Sequence, residues 1–264
     1  MVFRYCSIAS GSSGNCHYIE TAQARILVDA GLSGKIIQAG LDQIGIDPKS
    51  LDLILITHEH TDHCKGAGIL SRRFDLPIYA NEATWEAMKG GLGKIKPEHI
   101  CQFKTGESFR FKDVQILPFA THHDSVEAVG FRFEKEDKRI SMVTDTGHIC
   151  DSIKAAVEGS NLYLIEANHD VNMLRMGSYP WPLKKRIESD WGHLSNEAAG
   201  EFISELCKGQ KSTVLLGHLS QENNFPELAY QTVKNILTEN GIYIDEGIEL
   251  DMALRHAPTK IYEV

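Results

Sequence analysis

The sequence predicts an α/β protein, a four-layer αββα sandwich in which two packed sheets carry helices on their outer faces. Three observations predict it. Strand patterns dominate both halves of the chain, and each half closes with helical patterns. Runs such as "LDLILIT" (51–57) are continuously apolar rather than alternating, as a strand covered on both faces requires. A doubly wound parallel sheet fits this order less well. The 264 residues, 42% hydrophobic and 24% charged, suit one such domain spanning 1–264.

Each element has its own justification. "FRYCSI" (3–8) and "NCHYIE" (15–20) read as strands flanking the Gly/Ser turn "ASGSSG", and "ARILVDAG" as a third strand ending in Asp29-Ala30-Gly31. In "SGKIIQAGLDQIG" apolar residues recur at 36, 37, 41 and 44, a helical spacing. The strand at 51–57 runs directly into "THEHTDH", which places that cluster on a loop after a central strand, where sites are commonly built. A short strand "PIYA" (77–80) and a helix over about 82–88 follow. The strands "SFRF", "VQILPFAT", "AVGFRFEK", "RISMVTDTG" and "NLYLIEANHD" come next. "SNEAAGEFISELCKG" (195–209) predicts a helix with Ser195 as N-cap, "STVLLGHLS" (212–220) a strand ending on a histidine, and roughly 226–239 a last helix.

Composition narrows the function. No apolar run reaches membrane-spanning length and the N-terminus lacks a basic region followed by an apolar core, so a cytoplasmic protein without membrane contact is expected. The six cysteines are scattered without a C-x-x-C pair, against both a zinc ribbon and a disulfide framework. Cys64 directly follows the histidine cluster, but its neighbours supply better ligands. A net charge of −9 means that a nucleic-acid partner would need a local basic patch or positive charge supplied by metal.

The chemistry lies at strand ends. His58, His60, Asp62 and His63 follow the strand at 51–57, Asp145 closes "SMVTD", His218 closes "TVLLGH", and His123 stands in "ATHHDSVEAVGF". Imidazole and carboxylate suit zinc, iron and manganese. In H-x-H-x-D-H the first two histidines can reach one metal while Asp62 and His63 turn towards a second. A single mononuclear site, or a polar loop that happens to be rich in histidine, are the competing readings.

"THEHTDH", with "VDAG" upstream and "TDTG" and "GHLS" downstream, resembles the metallo-β-lactamase superfamily. The similarity is closer to its YycJ/WalJ group, through "SGSSGN" (Ser10 to Asn15), "EANHD" (Glu166 to Asp170), "YPWPL" (Tyr179 to Leu183), "GHLSN" (Gly192 to Asn196) and "GHLSQENN" (Gly217 to Asn224). The resemblance implies a two-metal site, zinc before manganese or iron. His58, His60 and His123 would hold the first ion, Asp62, His63 and His218 the second, and Asp145 would bridge them. His122 is chemically as good a ligand as its neighbour; the family pattern H-D-x-x-x-x-x-G, from His123 to Gly130, selects His123.

The resemblance also assigns roles around the metals. Asp29 would orient the ligand loop as a carboxylate behind a histidine; the bland alternative is a turn-forming Asp. By its position three residues after Asp145, His148 would line the site or be a surface-loop histidine. His169, in "ANHD", would either help at the scissile phosphate or leaving oxygen or only buttress the site. "GHLSNEAA" is similar to the H-S/T-x-x-E-A segment of tRNase Z and related nucleases, which makes His193 a catalytic proton donor beside Asp62. Ser195 could bring a helix N-terminus to a phosphate. Ser12, Ser13 and Asn15 form a site-edge loop. Lys184 and Lys185, among Tyr179, Trp181, Arg186 and Trp191, would meet nucleic acid by stacking and phosphate contact, although basic runs are usually just solvated. His17, His99 and His256 stand apart and are read as structural or solvated.

The implied function is a metal-dependent phosphodiesterase, a 5′-to-3′ DNA exonuclease linked to DNA repair, using a metal-activated water. The alternatives are a hydrolase of small phosphodiesters or carboxylic (thio)esters and, less well supported by seven candidate ligands, a regulatory or iron-redox protein.

Overall fold

The computed structural model describes residues 2–209, 211–244 and 246–264. The first half contains β1 (Phe3–Ala9), β2 (Cys16–Thr21), β3 (Arg25–Val28), α1 (Gly34–Gln43), β4 (Leu53–Leu55), α2 (Thr61–Cys64), α3 (Ala67–Phe74), β5 (Ile78–Ala80), α4 (Glu82–Leu92) and β6 (Ile100–Gln102). The second contains β7 (Phe109–Phe111), β8 (Val114–Ala120), β9 (Val129–Lys135), β10 (Lys138–Val143), α5 (Asp151–Val157), β11 (Leu162–Glu166), α6 (Val171–Met176), α7 (Trp181–Ile187), α8 (Asn196–Leu206), β12 (Ser212–Gly217), α9 (Pro226–Glu239) and β13 (Ile248–Met252). β14 (Tyr262–Glu263) returns to pair with β1.

Among the described residues the strands form two seven-stranded sheets, ordered β14-β1-β2-β3-β4-β5-β6 and β13-β12-β11-β10-β9-β8-β7. Each is mixed: antiparallel through β1–β3 and β7–β10, parallel through β3–β6 and β10–β13. The pleat explains why the central strands read as unbroken apolar runs. Leu53 and Leu55 face the other sheet while Ile54 and Ile56 face the helices; Leu162 and Leu164 divide from Tyr163 and Ile165 in the same way. Three separate hydrophobic clusters result, one between the sheets and one under each helical layer. That is the expected αββα sandwich.

The local differences are instructive. Only Leu53–Leu55 of the 51–57 run lies in the ladder, and α4 continues to Leu92. α2, α3, α5, α6 and α7 were not expected from the sequence, and neither were β6, β13 and β14. These helices have four to eight residues, too few for a helical period to stand out. No helix among the described residues is long and apolar enough to cross a membrane.

Candidate metal centre

The site lies along one edge of the sandwich, where β3, β4, β8, β10, β11 and β12 end. Asp29 follows β3, His218 follows β12 and Asp145 stands two residues after β10; all three adopt left-handed backbone, with φ of 60°, 54° and 57°. That conformation costs a residue other than glycine roughly 1–2 kcal/mol and turns the chain off the strand direction. Three such residues at neighbouring strand ends mark the place where the fold tolerates strain to aim side chains.

Those side chains converge. His58, His60 and His123 offer ligand atoms within 4.8 Å of one another, as do Asp62, His63 and His218, and also His58, His63 and Asp145. Asp145 lies between the groups: Oδ2 is 3.4 Å from His63 Nε2, and Oδ1 is 3.4 Å from His218 Nε2 and 3.7 Å from His123 Nε2. Among the described residues, His58 Nε2 and Asp145 Oδ2 are buried and lack a hydrogen-bond partner. Buried lone pairs without donors are costly unless something electrophilic meets them, and this nitrogen and oxygen donor set fits divalent metal ions. Burial, and behind it the charge of His63, pushes the His58 pKa well down, keeping the neutral imidazole that binds metal. Burial alone would raise the Asp145 pKa, but the surrounding histidines hold it well below the usual carboxylate range.

The ligands are held from behind. Asp29 accepts from Thr57 N (2.9 Å), from Thr57 Oγ1 and from His63 Nδ1 (2.8 Å). A proton fixed on Nδ1 turns the Nε2 lone pair of His63 towards the cluster. His123 Nδ1 likewise donates to the Gly192 carbonyl (3.1 Å). A Cβ on Gly31 would sit 1.6 Å from the Asp62 carbonyl, so this close approach of two backbones admits only glycine.

His193 faces the cluster from the segment between α7 and α8. Its Nδ1 lies 2.6 Å from Glu166 Oε1, and Glu166 Oε2 accepts from Thr146 N. The imidazole stacks on His218 at 5.3 Å and tilts against His123 at 4.9 Å. Burial opposes its charge, but the Glu166 carboxylate, helped by Asp145 and Asp124, outweighs burial and holds the His193 pKa at about 9. A cleft of about 160 Å³ opens beside His193, walled in part by Ser12, Asn168, Tyr179 and Leu183.

Other expected residues take different roles or places. His122 turns away, with Nε2 3.3 Å from Cys150 Sγ and its ring stacked on His148; His123 alone of that pair joins the cluster. His148 points Nδ1 at the Asp190 carbonyl rather than supporting a ligand. His169 is buried beside Ser195 through a backbone bridge. Asn15 is no surface contact for substrate: it is buried and ties Gly11 to Asp62 O and His63. Lys184 is also corrected, because its ammonium is buried and donates to the carbonyls of Arg175 and Gly177. Lys185 remains exposed, over the Trp181 ring. Ser195 caps α8, accepting from Ala198 N, and that contact occupies its hydroxyl oxygen. Ser12 and Ser13 are exposed and meet Arg255. Cys64 donates to the Glu59 carbonyl and burial pushes its thiol up to about 11, away from a ligand's role.

Sequence reasoning gave no role to Glu166, Thr57 or Arg255. Glu166 was recoverable, as the one charged residue closing the apolar strand "NLYLIE".

A model of the β-lactamase superfamily domain matches residues 24–219. The exodeoxyribonuclease WalJ of Streptococcus pneumoniae is 47% identical over 251 residues, 94% of this chain and 92% of that protein. The exodeoxyribonuclease YycJ of Bacillus anthracis is 40% identical over 264 residues, 100% of both. Among solved structures, the metallo-β-lactamase fold protein YhfI from Bacillus subtilis superposes with a TM-score of 0.74 at 16% identity, covering 100% of both chains. The short form of human tRNase Z gives 0.64 at 16% identity, over 97% of this chain and 98% of that one.

Proposed function

The chain belongs to the metallo-β-lactamase superfamily, within the group of the WalJ and YycJ exodeoxyribonucleases, and on that premise we propose that it is a metal-dependent exonuclease acting on DNA from the 5′ end. The observation that carries this reading is the Glu166–His193 pair facing the ligand cluster. Phosphodiester hydrolysis expels a strongly basic alkoxide, and a protonated imidazole aimed across the metal site supplies the proton that it needs.

His58, His60 and His123 would hold one divalent ion and Asp62, His63 and His218 a second, with Asp145 between them; zinc suits the set best and manganese or iron also fits. When bound, such ions stabilise charge on the phosphoryl oxygens and lower the pKa of water at the site. The chain's own residues do the rest. Asp62, 3.5 Å from His63 and only partly buried, can accept a hydrogen bond from the attacking water and orient it. His193 donates its proton to the departing 3′ oxygen, and Glu166 retains Nδ1–H, so the proton given up is the one on Nε2. On α7, whose Leu183, Arg186 and Ile187 line the cleft, the exposed Lys185 and Trp181 offer a cation and a ring for contact with a strand.

The test is to incubate purified protein and Mn²⁺ or Zn²⁺ with end-labelled duplex DNA, single-stranded DNA and RNA, beside a His60→Ala/Asp62→Ala variant. Progressive shortening of DNA from its 5′ end by the wild type alone is expected. Intact polymers in every lane, with hydrolysis of bis(p-nitrophenyl) phosphate, would move the assignment to small phosphodiesters.

A further inference from the structure

Arg255 is a guanidinium that no carboxylate answers among the described residues. Its hydrogen bonds go to neutral oxygens: the Leu219 carbonyl at 2.5 Å, Ser13 Oγ at 3.1 Å and Ser12 Oγ at 3.4 Å. Burial pushes its pKa down, and the Tyr179 phenol is the group that pulls against this. Cations usually avoid such surroundings unless an anion visits. The neighbouring cations are already engaged: Arg186 pairs with Asp124, and Lys184 is spent on backbone carbonyls.

Arg255 is also fixed to the metal edge. Leu219, whose carbonyl holds it, directly follows His218, and His218 N donates to Ser10 Oγ at 2.9 Å. Ser10 N in turn donates to the carbonyl of Leu254 at 3.0 Å. The Gly/Ser loop, the His218 loop and Arg255 therefore form one unit. Gly11, at φ 154°, leaves room for the guanidinium; a Cβ there would lie 3.0 Å from Nη1. Ser12 is a wall of the cleft beside His193, and that cleft also contains Tyr179.

In a cut from the 5′ end, the oxygen that leaves is the 3′ oxygen of the terminal nucleoside. His193 serves that oxygen, so the departing nucleoside occupies the cleft on the His193 side. Its own 5′ group points to the Ser12 edge of that cleft, where Arg255, which lines the adjoining pocket with Ser10, Leu219 and Leu254, meets Ser12. We propose that Arg255, with the hydroxyls of Ser12 and Ser13, is a subsite for the phosphate monoester at the 5′ end of the strand. The inference rests on the exonuclease reading. Guanidinium forks match phosphate oxygens. Both serine oxygens accept from Arg255, which leaves each hydroxyl hydrogen free to donate to the anion.

The test compares first-cut rates, with the full Mn²⁺-loaded protein, on duplexes that differ only in a 5′-phosphate or 5′-hydroxyl end. A preference of about ten- to a hundredfold for the phosphate is expected, the range of one charge-assisted contact pair. Arg255→Gln should abolish the preference and Arg255→Lys should keep part of it. Ser13→Asp, which sets a carboxylate against the guanidinium without removing it, should abolish it as well. A thermal melt near that of the wild type establishes that each variant is folded. Equal rates on the two ends in the wild type, or an equal slowing of both by Arg255→Gln, would overturn the subsite and leave the exonuclease reading standing; the second result would mean an internal phosphate contact. Failure to cut either duplex, with bis(p-nitrophenyl) phosphate still hydrolysed, would overturn both.

Discussion

Glu166 Oε1 and His193 Nδ1 stand 2.6 Å apart across the metal edge, the carboxylate fully buried and the imidazole half-buried. The pair fixes the tautomer and leaves Nε2 as the proton donor. His193→Gln should lower kcat on DNA by about 10²–10⁴-fold, the usual worth of one general acid. Glu166→Gln should cost about 10²-fold, because the amide keeps the contact but not the charge that holds the proton. With bis(p-nitrophenyl) phosphate, whose leaving group departs without protonation, both losses should shrink. Equal losses on the two substrates would show that the pair only supports the fold.

Asp29 lies behind His63 and, among the described residues, hydrogen-bonds to no other ligand. Asp29→Asn keeps the volume but no longer offers an anion to His63 Nδ1–H and two contacts from Thr57. Affinity for the metal near His63 should fall by about 10- to 100-fold. Competition with a chelator reads this directly, and an unchanged metal stoichiometry and affinity would refute the role.

The part of the centre legible in sequence is the part that is local in sequence. His58, His60, Asp62 and His63 lie within six positions, and the strands ending at Asp145 and His218 announce themselves as apolar runs closed by a polar residue. Glu166 closes such a run too, but its role depends on His193, 27 positions later, which only the fold brings near. Lys184 shows the opposite limit. Its basic neighbours suggest a solvated or ligand-binding face, whereas α7 turns this one ammonium inward onto backbone carbonyls. Arg255 lies in a stretch without regular structure after β13 and has no sequence signal; its importance comes from the 243-residue separation that the fold closes to Ser12.

"HHD" offers two adjacent histidines, and a one-residue choice between them has a sharp consequence. His123 joins His58 and His60, whereas His122 packs on His148 and Cys150. His123→Ala should lose one metal equivalent and nearly all activity. His122→Ala should retain both equivalents and most activity, with a melting temperature lowered by a few degrees for the lost packing. Metal content by mass spectrometry separates the two; loss of metal from the His122 variant alone would reverse the assignment.

Acid should destabilise the protein through a histidine that takes no part in ligation. His17 is buried, with Nδ1 2.9 Å from the Tyr5 hydroxyl. Burial first, then the positive charges of His63 and His218, push its pKa down to about 3. In the unfolded chain the same group titrates near 6.5. Between those values the unfolded state binds a proton that the folded state refuses, so stability falls as the pH falls, and the full contribution is present only above about 6.5. Going from pH 7 to pH 5, one such group removes about 2 kcal/mol. His17→Gln, which keeps an acceptor for Tyr5 and cannot titrate, should therefore lose less stability than the wild type over that interval. The difference is read from urea denaturation at the two pH values with metal present in both. Parallel losses in the two proteins would show that His17 takes up its proton as readily in the folded state as in the unfolded chain, and would place the acid sensitivity in the carboxylates instead.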